Sequence, residues 1–161
     1  MANKIPINWG ATSALTTTNL DGVTAGQIWQ SGEQNDSNPC NEFLEVFYKI
    51  RTANTMVAGD YINFFLAKGD QHASEIWDGG IGTTSDNEIT STSIIAGVEQ
   101  SLNPIKVVTW KTNHGDTFYG HFVEFNFGPS WQVLVQPIGE NLHGTGGESI
   151  IHYRYGVREV Q

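Results

Sequence analysis

The residues able to do chemistry are few and scattered along the chain. The single cysteine, Cys40, stands in the turn Asn38-Pro39-Cys40-Asn41 ahead of an apolar run. A nucleophile there would need a histidine brought from elsewhere, and the reading adopted is an incidental thiol. His114-Gly-Asp116 and His121-x-x-Glu124 have the residue types of metal ligands, with His143 and His152 further on. Residues three apart on a strand point to opposite faces, so His121 and Glu124 cannot chelate together if Phe118 to Phe125 is extended. No His-x-His pair of the kind an inward-facing cupin site uses occurs. Asp78-Gly-Gly-x-Gly and Asp86-Asn87-Glu88 could offer oxygens to calcium, but the spacing of an EF-hand loop is absent and Asp, Asn and Gly are ordinary turn residues. Gly-x-Ser-x-Gly, His-Glu-x-x-His, Cys-x-x-Cys, P-loop and Rossmann patterns are all missing. The chain is therefore read as having no catalytic residue, no metal site and no cofactor. What remains is aromatic chemistry, since a tryptophan face can stack on a sugar ring while neighbouring polar groups bind hydroxyls. Trp77 with Asp78, in Glu75-Ile-Trp-Asp-Gly, is the candidate platform because it sits at a strand-to-loop junction. Trp29, Trp110 and Trp131 fall inside strands and are assigned to the core.

The elements that must carry these residues are strands. Phe43 to Arg51 alternates, with Leu44, Val46, Tyr48 and Ile50 on one face and Glu45, Lys49 and Arg51 on the other. Period two over that length marks a half-buried strand. Asp60 to Lys68, Ile105 to Thr112, Trp131 to Ile138 and Ser149 to Val157 follow the same pattern. Weaker strands are expected at Ile5 to Trp9, Ala14 to Thr18, Gln27 to Gln30, Ser93 to Val98 and Phe118 to Phe125. Turn residues separate them, as at Asp21-Gly22, Gly32 to Pro39, Asn103-Pro104 and Asn141 to Gly147. No stretch of ten residues shows a capped helical stripe, and only Ala73 to Trp77 could form a short turn of helix. These features predict an all-β fold, an antiparallel two-sheet β-sandwich, jelly-roll-like, of about 8–10 strands, in one domain spanning 1–161.

Composition narrows the function. The chain has 161 residues, with 11 Val, 14 Ile, 15 Thr and 18 aromatic residues, and a formal charge of −9. Eight basic residues spread singly do not build the field that phosphate backbones require, so nucleic acid is not expected as a partner. The start MANKIPINWG has no apolar h-region and no apolar run approaches the ~18 residues of a membrane span, which predicts a protein made in the cytoplasm and not held in a membrane. Charged residues make up 16% of the chain against a typical ~25%, and interfaces between subunits are depleted in lysine and enriched in aromatics. Met1, Ala2, Asn3, Lys4, Ile5 and Pro6 form a short N-terminal arm of the kind that either dangles or is ordered by a neighbour, and are the candidate contact to another subunit.

Ile-Trp-Gln-Ser-Gly-Glu at 28–33, Phe-Leu-Glu-Val-Phe-Tyr at 43–48 and Asp-Tyr-Ile-Asn-Phe-Phe-Leu-Ala at 60–67 stand in an order that resembles the jelly-roll cement, or decoration, proteins of tailed bacteriophages. The resemblance continues through Ile94 to Val98, Phe127 to Gln136 and the last strand, and departs between Glu99 and Asn126. It implies a non-enzymatic virion structural protein, made in the host cytoplasm, that binds the outer surface of a capsid and clamps neighbouring copies of the major capsid protein. A homo-oligomer, trimer or dimer, is expected with it. The alternative carried alongside is a carbohydrate-binding, lectin-like β-sandwich module on the virion surface.

Overall fold

A computed structural model of the chain describes residues 6–36, 38, 41–69, 77–81, 86–109 and 116–159. Cys40, Trp110, His114 and the arm residues Met1 to Ile5 lie outside them, as does most of Ala73 to Trp77.

The strands among the described residues are β1 (Ile7–Trp9), β2 (Ser13–Ala14), β3 (Ile28–Gln30), β4 (Gln34–Asn35), β5 (Phe43–Arg51), β6 (Tyr61–Gly69), β7 (Asn87–Ile89), β8 (Lys106–Thr109), β9 (Thr117–Phe125), β10 (Ser130–Ile138) and β11 (Ile150–Arg158). They form two antiparallel sheets. Sheet A has the order β1-β11-β5-β9 with β2 on β11, and sheet B has the order β7-β3-β10-β6-β8 with β4 on β10. From β5 onward four of the six connections pass between the sheets, those on either side of β7 staying within sheet B, and the first strand lies beside the last. That is jelly-roll-like connectivity, which brings residues distant in sequence into register on one face.

The inner faces of the two sheets close on one core. Leu44, Val46, Tyr48 and Ile50 of β5 and Phe118 and Phe122 of β9 meet Ile62, Phe64 and Leu66 of β6 and Trp131, Val133 and Val135 of β10. The Tyr48 and Phe64 rings stack at 4.4 Å between centroids, and burial pushes the Tyr48 phenol above its ordinary value of 10.0.

Two elements depart from the sequence expectation, and of the strand expected at Ala14 to Thr18 only Ala14 is in one, at the end of β2. Ser93 to Val98 is not a strand but part of helix α1 (Thr92–Ser101). Ile94, Ile95, Val98 and Leu102 recur at helical spacing, and their stripe packs onto the outer face of sheet B, over Ile28, Phe65, Ala67 and Leu134. The β-branched content of the segment favours a strand, but burying one apolar stripe on a ready apolar surface outweighs that propensity. The strand β7, in turn, lies where a turn was read at Asp86-Asn87-Glu88.

The helix gives the two sheets different fates. The central strand of sheet B, β10, is buried along Ser130 to Pro137, on both faces. Sheet A has no such cover among the described residues, and on its outer face Tyr119, His121, Val123, Phe125 and Ile150 are exposed while Phe43 and Glu45 are buried.

Candidate functional site

The outer face of sheet A is built by strand alternation. Ladder register carries the outward residues into rows running across the strands. Trp9 lies opposite Gly156, Gly156 opposite Phe43, and Phe43 opposite Phe125. In the next rows Arg154, Glu45 and Val123 stand together, then His152, Phe47 and His121, then Ile150, Lys49 and Tyr119. Gly156 has a steric reason to be glycine, since an added Cβ would come within 2.8 Å of the Trp9 ring and 2.9 Å of Ile7. The missing side chain is the seat over which Trp9 and Ile7 lie.

The aromatic groups interlock. Trp9 and Phe43 are 6.3 Å apart between centroids, Phe43 meets Phe125 edge-on at 5.0 Å, and Phe47 lies 6.1 Å from the His121 ring. Such cross-strand pairs stabilise a sheet by roughly 0.2–1 kcal/mol each, and here they also hold the rings as a rigid surface. Arg154 sits in the middle of them. Its guanidinium is 4.7 Å from the Trp9 ring centroid and 5.2 Å from that of Phe47, and it grips Glu45 through Nη2 at 2.7 Å and Nε at 2.8 Å. Glu45 is only 6% exposed, so its carboxylate depends on this partner, with His121 a further 3.9 Å contact. Arg158 repeats the theme over Phe43 and pairs with Glu42. At the far end Arg51 bridges Asp116 and Glu148. The Thr117 hydroxyl first, and then Arg51, hold the Asp116 carboxyl below the usual carboxylate range, and these carboxylates in turn raise Arg51.

Exposed apolar area concentrates on this face. Tyr119 is 74% and Phe125 57% exposed, and with Ile7, Val123 and Ile150 they account for all the exposed large hydrophobic residues among the described ones except Val57 and Val107. All three arginines of the chain, Arg51, Arg154 and Arg158, belong to it as well. Each is matched by a carboxylate, so a molecule of charge −9 presents here a face close to neutral. Rigid aromatics and arginines are the groups that dominate protein–protein binding energy.

The residues singled out in the sequence are not brought together on this face. Trp77 is 5% exposed, because its ring lies flat on Gly69, where a Cβ would be 3.0 Å away, and joins Ile81, Val98 and Phe65 beneath α1. The glycan-platform assignment of Trp77 and Asp78 is thereby corrected, since Asp78 is exposed but the indole beside it offers no face. Pro6 is exposed and its carbonyl accepts the Glu159 N–H at 3.0 Å, so this last residue of the expected arm is anchored to the sheet at the entry to β1. His121 and Glu124 point to opposite faces, Glu124 reaching Lys68 at 3.7 Å. Asp86 accepts the Trp29 Nε1–H at 2.6 Å, and Glu88 accepts the Thr24 N–H at 2.9 Å, so one carboxylate is committed to a side chain of β3 and the other to the loop that precedes it. No group of three or more His, Cys, Asp or Glu among the described residues is arranged to hold a metal ion, and none of their helices is long and apolar enough to cross a membrane.

Trp9, Phe43, Phe47, Tyr119, Val123, Phe125 and Arg154 escaped the sequence reading, although a signal was there. In β9 the row Tyr119, His121, Val123, Phe125 and the row Phe118, Gly120, Phe122 are both largely apolar. Only one row can face the core.

The class of protein that fold and face define is a jelly-roll-like β-sandwich with one sheet roofed by a helix and the other open. No protein-family model matches the chain, and no curated protein matches it.

Proposed function

We propose that this chain is a non-enzymatic structural protein of a virion, which binds the outer surface of a tailed-phage capsid and clamps neighbouring subunits through the outer face of sheet A. The observation that carries the reading is the asymmetry of the sandwich, with α1 over sheet B and an open, arginine-studded aromatic face on sheet A. The partner class comes from the resemblance in order of the segments at 28–33, 43–48, 60–67 and 127–136. Clamping demands no chemistry. It needs a rigid apolar patch on each copy and many copies, because each interface of roughly 1,600 Å² adds to the stiffness of a shell. Pro6, the last residue of the candidate arm, is held to the Glu159 N–H at the entry to β1, and the arm belongs to the same proposed contact.

Co-sedimentation with capsids that lack this protein tests the reading. Trp9→Ala and Ile150→Glu should each weaken binding about tenfold or more, as loss of a central contact does. Val57→Glu, an equally exposed apolar site away from the face, should leave it unchanged. Undiminished binding by both face variants would remove this surface from the proposal.

A further inference from the structure

Sheet edges are ordinarily protected, and among the described residues three of the four here are short. β1 and β7 have three residues each and β8 four, too short to template a neighbour. The fourth edge, β9, runs nine residues from Thr117 to Phe125, contains no lysine and no proline, and among the described residues pairs only with β5. Its two sets of backbone groups can be told apart. The Thr52 N–H donates to the Asp116 carbonyl at 2.7 Å, so even-numbered residues of this segment aim their N–H and C=O groups at β5. Antiparallel ladders alternate, and the odd residues Thr117, Tyr119, His121, Val123 and Phe125 therefore aim theirs outward along the free edge.

We infer that β9 is a self-association edge, on which β9 of a second copy pairs antiparallel about a two-fold axis at His121. The register is self-complementary. With His121 opposite its own mate, Tyr119 faces Val123 and Thr117 faces Phe125, the outward side chains stay on one face, and the odd residues exchange about ten N–H···O bonds. Charge permits the approach. No carboxylate or ammonium stands on the odd row, and Glu124 on the other row is already matched by Lys68, so two acidic chains meet where neither carries unbalanced charge. Nine residues at ~3.4 Å each give a seam about 30 Å long. With both sets of Tyr119, Val123 and Phe125 side chains against it, such a seam is of the order of the ~1,000 Å² a specific interface needs. The inference does not rest on capsid binding, since it concerns backbone pairing along the strand's edge, although the side chains beside that edge belong to the proposed capsid-binding face.

Sedimentation equilibrium of the full chain over a dilution series tests it, with the expected result a monomer–dimer equilibrium. His121→Pro removes one outward N–H while sparing the β5 ladder, so it should give a monomer that still unfolds cooperatively, with a melting temperature that no longer rises with protein concentration. If that variant does not fold, Val123→Lys, which keeps every backbone group but places an ammonium on the seam, should give the same monomer. For the register, H121C in a Cys40→Ser background should couple to its mate through a short bismaleimide. T117C should not, because two 117 side chains would lie about 27 Å apart. A wild-type monomer at every concentration, a dimer that survives Val123→Lys, or equal coupling at 117 would overturn the inference.

Discussion

At the residue scale the Arg154–Glu45 pair is the point at which the outer face is most dependent on a single side chain. Glu45 is buried beneath the guanidinium, and removing that partner leaves a carboxylate with only a distant histidine. Arg154→Ala should lower stability by about 2 kcal/mol, read as a shift of the urea midpoint. A change too small to resolve would mean that water reaches Glu45 and that the rings, not the pair, hold the row. Tyr155 gives a second expectation. Burial pushes its phenol up to about 12, although the Trp131 Nε1–H donated to its oxygen works the other way. A folded-state pKa above the ordinary 10.0 means that the stabilising contribution is whole below about pH 10 and is lost as the pH climbs through 12. An alkaline titration followed by circular dichroism should therefore show unfolding in that window. Tyr155→Phe should unfold at higher pH, while costing about 1–2 kcal/mol at neutral pH because the buried Trp131 N–H loses its acceptor. Neither dependency was legible in the sequence, where Glu45 and Arg154 are simply two polar positions on two strands separated by more than a hundred residues. Only the β5–β11 register makes them neighbours.

Elements were more legible than sites, for a physical reason. The period-two runs that became β5, β6, β10 and β11 are long, and each repeats its signal enough times to outweigh local exceptions. Thr92–Ser101 was not legible as a helix, because Ser-Ile-Ile-Ala-Gly-Val reads as strand until sheet B is known to offer an apolar surface for its stripe. Its glycine records how closely that helix docks. A Cβ on Gly97 would lie 2.9 Å from the Gly79 carbonyl oxygen, backbone against backbone. Replacing a mid-helix glycine by alanine ordinarily stabilises by ~1 kcal/mol. Here Gly97→Ala should instead destabilise by roughly 1–3 kcal/mol as the helix is pushed off the turn at Asp78–Gly80, lowering the melting temperature. A rise in melting temperature would show that α1 can lift without loss, and hence that the roof on sheet B is loose.

For the whole molecule, the low charge content first counted against nucleic acid, and in the folded chain it is distributed with a purpose. The matched arginines gather on the open face, and much of the surplus of carboxylates is left to the remainder of the surface. The segment from Glu99 to Asn126, where the resemblance breaks off, contributes β8 and β9, and so the most exposed aromatic residue and the one long free edge among the described residues. The edge has one more consequence. Two copies joined along β9 about an axis normal to the sheet would turn both open faces the same way, as a single plate with two identical halves related by a half-turn. Such a plate matches a lattice only where the lattice itself repeats by a half-turn. Its geometry would thus choose the address on an icosahedral shell, seating it across two-fold contacts and leaving three-fold and five-fold vertices bare.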